Sequence, residues 1–125
     1  MQKVQSLQEV LNTPQKKQAF FQNLIIVAMA DKVLEKDESD FLLMIGDKLG
    51  LSPQDVKPMS DNLDVLSFII PEDGFQKTLE LQTLVQMMMQ DGEIHDREYA
   101  LCLEYSTRIG YGKAVLDDMI SQMAA

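Results

Sequence analysis

The sequence predicts an all-α single domain, residues 1–125, of about seven helices arranged as two related halves. Three observations predict it. Apolar residues recur at helical spacing in long segments, the segments are punctuated by proline and glycine at helix-start and helix-stop positions, and the order of segments repeats after sixty residues. A chain of this length buries roughly two-thirds of its unfolded surface in one core, so it needs no disulfide or metal to fold.

A short leading helix is expected near Leu7 to Leu11. Thr13-Pro14 then reads as an N-cap followed by proline at the first helical position, opening a helix to about Ala30. Phe20, Phe21, Leu24, Ile25 and Ala28 have helical spacing, and Ile26, Val27 and Met29 fill the other face, so this helix is expected to be buried almost all round. A helix from about Lys36 to Leu49 carries Phe41, Leu42, Ile45 and Leu49 on one stripe and stops at Gly50, where a left-handed residue suits the C-terminal cap. Ser52-Pro53 starts a shorter helix that Pro58, lacking an amide donor, should kink or end. The connection 61–74 is expected to hold one helical turn around Leu63 to Phe68.

The same programme returns as a helix from about Phe75 to Gln90, a joint at Asp91-Gly92, a helix to Ile109, the stop Gly110, and a last helix to about Met123. Between residues 21–59 and 81–119 there are 8 identities in 39 positions. They include Leu24 with Leu84, Met29 with Met89, Asp31 with Asp91, Glu38 with Glu98, and Gly50 with Gly110. The stripe Phe41, Leu42, Ile45, Leu49 becomes Leu101, Cys102, Tyr105, Ile109, which preserves the hydrophobic phase. The halves, about 14–60 and 75–123, are therefore expected to be an internal duplication with two central helices packed together and their acidic joints related by a pseudo-twofold axis.

Charge narrows the function. With 20 Asp plus Glu against 11 Lys plus Arg, the net charge is −9, which argues against nucleic acid and anionic membrane surfaces and favours cations or basic protein surfaces. The longest apolar run, Leu24 to Ala30, is too short to span a bilayer, and the opening residues lack the apolar stretch of a signal peptide. A single cysteine, Cys102, permits no internal disulfide, so a cytoplasmic location is expected.

The chemistry concentrates in the joints, where Asp31 precedes Glu38 and Asp91 precedes Glu98 by seven residues. Glu38 and Glu98 suit the first turn of a helix, whose dipole favours a carboxylate. Asp31 and Asp91 face the unfavourable end of the preceding helix, at a cost of about 0.3–1 kcal/mol that a cation or a capping hydrogen bond would offset. The second joint, Asp91 to Glu98, mimics the latter half of an EF-hand loop. The former half fails, because Met87 and Met89 (Val27 and Met29 in the other copy) stand where oxygen ligands belong. Any calcium or magnesium site is expected to be weak, on the order of 10⁻⁴ to 10⁻³ M for calcium.

The strings Ala28-Met29-Ala30-Asp31 through Glu38 and Met88-Met89-Gln90-Asp91-Gly92 through Glu98, each followed by a helix ending in Leu49-Gly50 or Ile109-Gly110, resemble the duplicated signature of the tellurite-resistance TerB-like family over about residues 14–123. They are also similar to the N-terminal domain of DnaJ-like membrane co-chaperones. The resemblance implies an all-helical fold, an association with bacterial stress responses, and binding or sensing of divalent metal through Asp31, Glu38, Asp91 and Glu98. Lys32 departs from the pattern, standing where Gly92 stands in the other copy, which weakens the first joint as a site.

Elsewhere the residues point to structure. His95 is the only histidine and cannot build a histidine-pair metal site, so it reads as an exposed joint residue; Cys102 reads as a core residue, and Met87 to Met89 as core filling. The expected function is a non-enzymatic acidic module that binds a divalent cation or docks a basic protein partner through its joints. The alternatives are a purely structural protein–protein adaptor, its acids acting as helix caps, and a metal-assisted hydrolase, for which the sequence shows no converging ligand set.

Overall fold

The structure is a computed structural model that describes residues 7–30, 36–62, 66–90 and 92–124. Among these residues the chain is all-helical, with no strand. A single four-residue turn, α1 (Leu7–Val10), precedes six longer helices: α2 (Pro14–Ala28), α3 (Lys36–Leu49), α4 (Pro53–Asp61), α5 (Gly74–Met88), α6 (Asp96–Arg108) and α7 (Gly112–Ala124).

Local chemistry sets the ends of these helices. The Thr13 side chain accepts from the Lys16 amide at 3.1 Å ahead of Pro14, and Ser52 and Asp55 form a reciprocal capping box around the start of α4. Asp73 caps α5 by accepting from the Gln76 amide at 2.9 Å. Two exits are the same motif: Gly50 and Gly110 take φ of 71° and 91°. Leu51 N donates to Gly46 O, and Tyr111 N to Ser106 O, both at 2.9 Å, while each glycine amide reaches back to the carbonyl three residues earlier. Nothing lies within 4 Å of a Cβ added at Gly110, so Gly110→Ala tests the backbone alone. It should cost about 1 kcal/mol in urea unfolding, through the left-handed φ.

α2 and α5 pack against each other at the centre, with α3 on α2, α6 on both, and α7 along α6 and α5. Leu24, Val27, Ala28, Leu84, Met87 and Met88 are all fully buried between these layers. Burial of α2 extends over Phe20, Phe21, Asn23, Leu24, Ile25, Val27 and Ala28, more than one stripe, as its near-continuous apolar sequence implies.

Two local expectations are corrected. α4 does not end at Pro58 but runs on to Asp61. Proline forfeits one ladder bond in a helix of only nine residues, its ring lies on the exposed side, and Met59, the next residue, is buried in the core. The helical turn expected around Leu63 to Phe68 is absent from its described part: 66–71 is irregular, and 63–65 lie outside the described residues. Side chains of α2 supply the hydrogen bonds that helix would have made. Asn23 Nδ2 donates to Ile69 O and Asn23 Oδ1 accepts from Ile69 N, each at 2.9 Å, and Gln22 Nε2 donates to Ser67 O at 3.0 Å. Phe68 is thereby seated in the core, its ring edge-on to Tyr105 with centroids 5.3 Å apart, and Pro71 disfavours a helical residue before it.

Candidate functional site

The two acidic joints follow α2 and α5. Both helices close in the same way: Met29 N and Met89 N donate to Ile25 O and Val85 O, and Ala30 N and Gln90 N to Val27 O and Met87 O. Gly92 then takes φ of 83°, a left-handed turn. Asp31 and Asp91 lie outside the described residues, as does Lys32. Glu38 and Glu98 occupy the third position of α3 and α6, and there the structure departs from the usual exposed first-turn acid. Glu38 is 0% and Glu98 1% exposed.

Withdrawing a carboxylate from water costs several kcal/mol unless donors or a cation compensate it. That both halves bury the same acid at the same place is the strongest chemical feature of the joints. Glu98 also acts on its neighbour one turn on. Burial pushes the Cys102 thiol far above its ordinary value and the Glu98 charge pushes it further, so Cys102 stays protonated and buried in the core, as its place on the apolar stripe suggests. His95 is half-buried at the N-cap position of α6, less open than the sequence suggests. Among the described residues no three His, Cys, Asp or Glu side chains converge.

Sequence reasoning missed a second polar centre. Glu80, 2% exposed, lies in the middle of α5 and accepts three hydrogen bonds: from Asn23 Nδ2 at 2.8 Å and Tyr105 OH at 2.9 Å on Oε1, and from Gln76 Nε2 at 2.7 Å on Oε2. It joins α2, α5, α6 and the 66–71 segment. The signal was present: Gln76, Glu80 and Leu84 share one face of α5 at i, i+4, i+8, so the two polar residues continue a buried stripe. Burial raises the Glu80 carboxyl above the ordinary carboxylate range, and the three donors only partly oppose it. The folded state thus holds this proton more tightly than the unfolded chain. Its contribution is full below the unfolded value, near 4.5, and is lost as pH rises through the folded value. Glu80→Gln should flatten that fall in stability above pH 4.5, which urea unfolding across pH 4–8 measures.

A groove of about 750 Å³ opens between α3 and α4 over α2, with Met29 and Ser39, the neighbours of the first joint, at one end. No helix of the described residues is long and apolar enough to cross a membrane.

In comparison with known proteins, the family model described as tellurite resistance protein TerB matches residues 1–61, from the start of the chain to the end of α4. No curated protein and no solved structure matches. A likeness to DnaJ-like co-chaperones is not shown by these comparisons. The matched segment contains α2, the first acidic joint, Glu38 and the stop at Gly50, half of the features that carry the family resemblance, and over that segment the chain is similar to TerB; the second joint lies outside the match.

Proposed function

We propose that the chain is a non-enzymatic, tellurite-resistance-related module that holds a divalent cation at its acidic joints, Asp91 with Glu98 and Asp31 with Glu38. The burial of Glu38 and Glu98 at corresponding places carries this reading. A first-turn glutamate that served only the helix dipole would gain its few tenths of a kcal/mol while staying in water. A cation is one partner that repays such burial, as hydrogen-bond donors do at Glu80.

The donor set fits a hard ion. Carboxylate oxygens with carbonyls and water suit calcium or magnesium, and two carboxylates per joint imply weak affinity, on the order of 10⁻⁴ to 10⁻³ M for calcium. The second joint is the stronger candidate, because Gly92 makes its turn without strain. The matched helix bounds, the paired glycine exits and the paired buried glutamates all support a duplication of one ancestral unit. The joints would then be two versions of one site.

Equilibrium dialysis against calcium tests the assignment. Asp91→Asn should remove most binding and Asp31→Asn less, while Asp118→Asn, an exposed acid on α7, should leave it unchanged. If Asp91→Asn binds as the parent does, Glu38 and Glu98 are helix-terminal acids and nothing more.

A further inference from the structure

The groove between α3 and α4 can be compared with the same place sixty residues on, where α6 and α7 meet and the gap is closed. There Tyr99 reaches across from α6 to donate to Asp117 Oδ1 on α7 at 2.6 Å, and Leu116 of α7 is fully buried. The corresponding residues in the first half are Ser39, Lys57 and Val56. Serine is too short to reach across, lysine offers no acceptor to a tyrosine, and valine is smaller than leucine. α4 packs on α2 instead, and among the described residues the gap stays open.

The leucines make the contrast plain. Leu103 is packed against the core, whereas Leu43, at the same phase of α3, is 69% exposed at the groove's edge. Phe21, Ile25, Leu42 and Leu51 give the groove its apolar floor. Its rim carries Asp47 and Asp61 against a single cation, Lys57, already bonded to Asp61 at 2.9 Å. An unfilled apolar gap between helices accepts a row of side chains from one further helix, and an acidic rim on a chain of net charge −9 selects cations beside them.

We propose that the α3–α4 groove docks an amphipathic helix of a partner protein, with aliphatic and aromatic anchors on one face and lysine or arginine flanking them. This is separate from the cation reading of the joints and stands if that reading fails. The helix would supply the filling that Tyr99 and Leu116 give the second half.

The probe is a fluorescein-labelled peptide of about sixteen residues, with Leu and Phe at i, i+3, i+4 and i+7 and Lys beside them, measured by anisotropy at near-physiological ionic strength. A peptide of the same composition in permuted order is the control. The full chain should bind the patterned peptide at least about tenfold more tightly than the permuted one. Leu43→Glu should weaken binding by about tenfold or more, and the double variant Ser39→Tyr with Lys57→Asp, which installs the second half's closure, should abolish it while keeping or raising the melting temperature. Phe75→Glu, equally exposed but outside the groove, should change it less than about twofold. Equal binding of both peptides, an equal loss in Phe75→Glu, or no binding by the parent overturns the proposal. So does sedimentation showing a dimer that Leu43→Glu dissolves, which would make a second copy of the chain the occupant.

Discussion

Asn23→Ala should lower the stability of the chain by about 3 kcal/mol at pH 7, with a fall in melting temperature on the order of 10 °C. One side chain there serves three hydrogen bonds. It donates to Glu80 Oε1 and to Ile69 O, and accepts from Ile69 N. Alanine leaves a carboxylate that is 2% exposed with one donor fewer, and removing one partner of a buried charge costs far more than the net worth of the bond. It also unties the 66–71 segment from α2, loosening Phe68 against Tyr105. The size of the loss should depend on pH. Below the raised value of Glu80 the carboxyl is protonated and needs the lost donor less, so the difference between parent and variant should shrink as pH falls through that value. A loss under about 1 kcal/mol at pH 7, or one independent of pH, would show that Glu80 is not held as described.

Leu84→Ala should cost about 3–4 kcal/mol in urea unfolding. Leu84 is 1% exposed in the middle of α5, facing the layer in which α2 contributes Leu24, also 1% exposed. Truncation there loses the transfer free energy of the missing carbons and leaves a cavity walled by two central helices that cannot collapse independently. Leu43→Ala is the internal standard, because the same chemical change at a residue 69% exposed should move stability by no more than about 0.5 kcal/mol. Similar losses at both positions would contradict the placement of α5 at the centre.

Most of the helical frame was legible in the sequence, because its signals are local. Thr13-Pro14 and Ser52-Pro53 start helices, Gly50 and Gly110 stop them, and the stripes between keep their phase. Pro58 misled because a local rule met a tertiary gain: the helix that tolerates it buries Met59. The irregular 66–71 segment was not legible because its hydrogen-bond partners lie 45 and 46 residues back, on Gln22 and Asn23. Pairing across such a distance leaves no mark in a short window of sequence.

The site divides in the same way. The seven-residue spacing from Asp31 to Glu38 and from Asp91 to Glu98 was visible, but a glutamate in a first turn reads as a solvated acid, and only packing shows both to be buried. The open groove was half visible. Ser39 against Tyr99 and Lys57 against Asp117 stand in the sixty-residue alignment, yet a missing contact becomes a groove only when the helices around it are placed.

The central claim is the cation at the joints, and thermal unfolding of chelator-treated chain with and without divalent ions tests it most directly. Ionic strength is matched with monovalent salt, since a chain of net charge −9 gains stability from screening alone. A saturable, ion-specific rise in melting temperature, absent in Asp91→Asn, is the predicted result through preferential binding to the folded state. A rise no greater than the salt control gives would contradict the claim and leave the buried glutamates as structural acids.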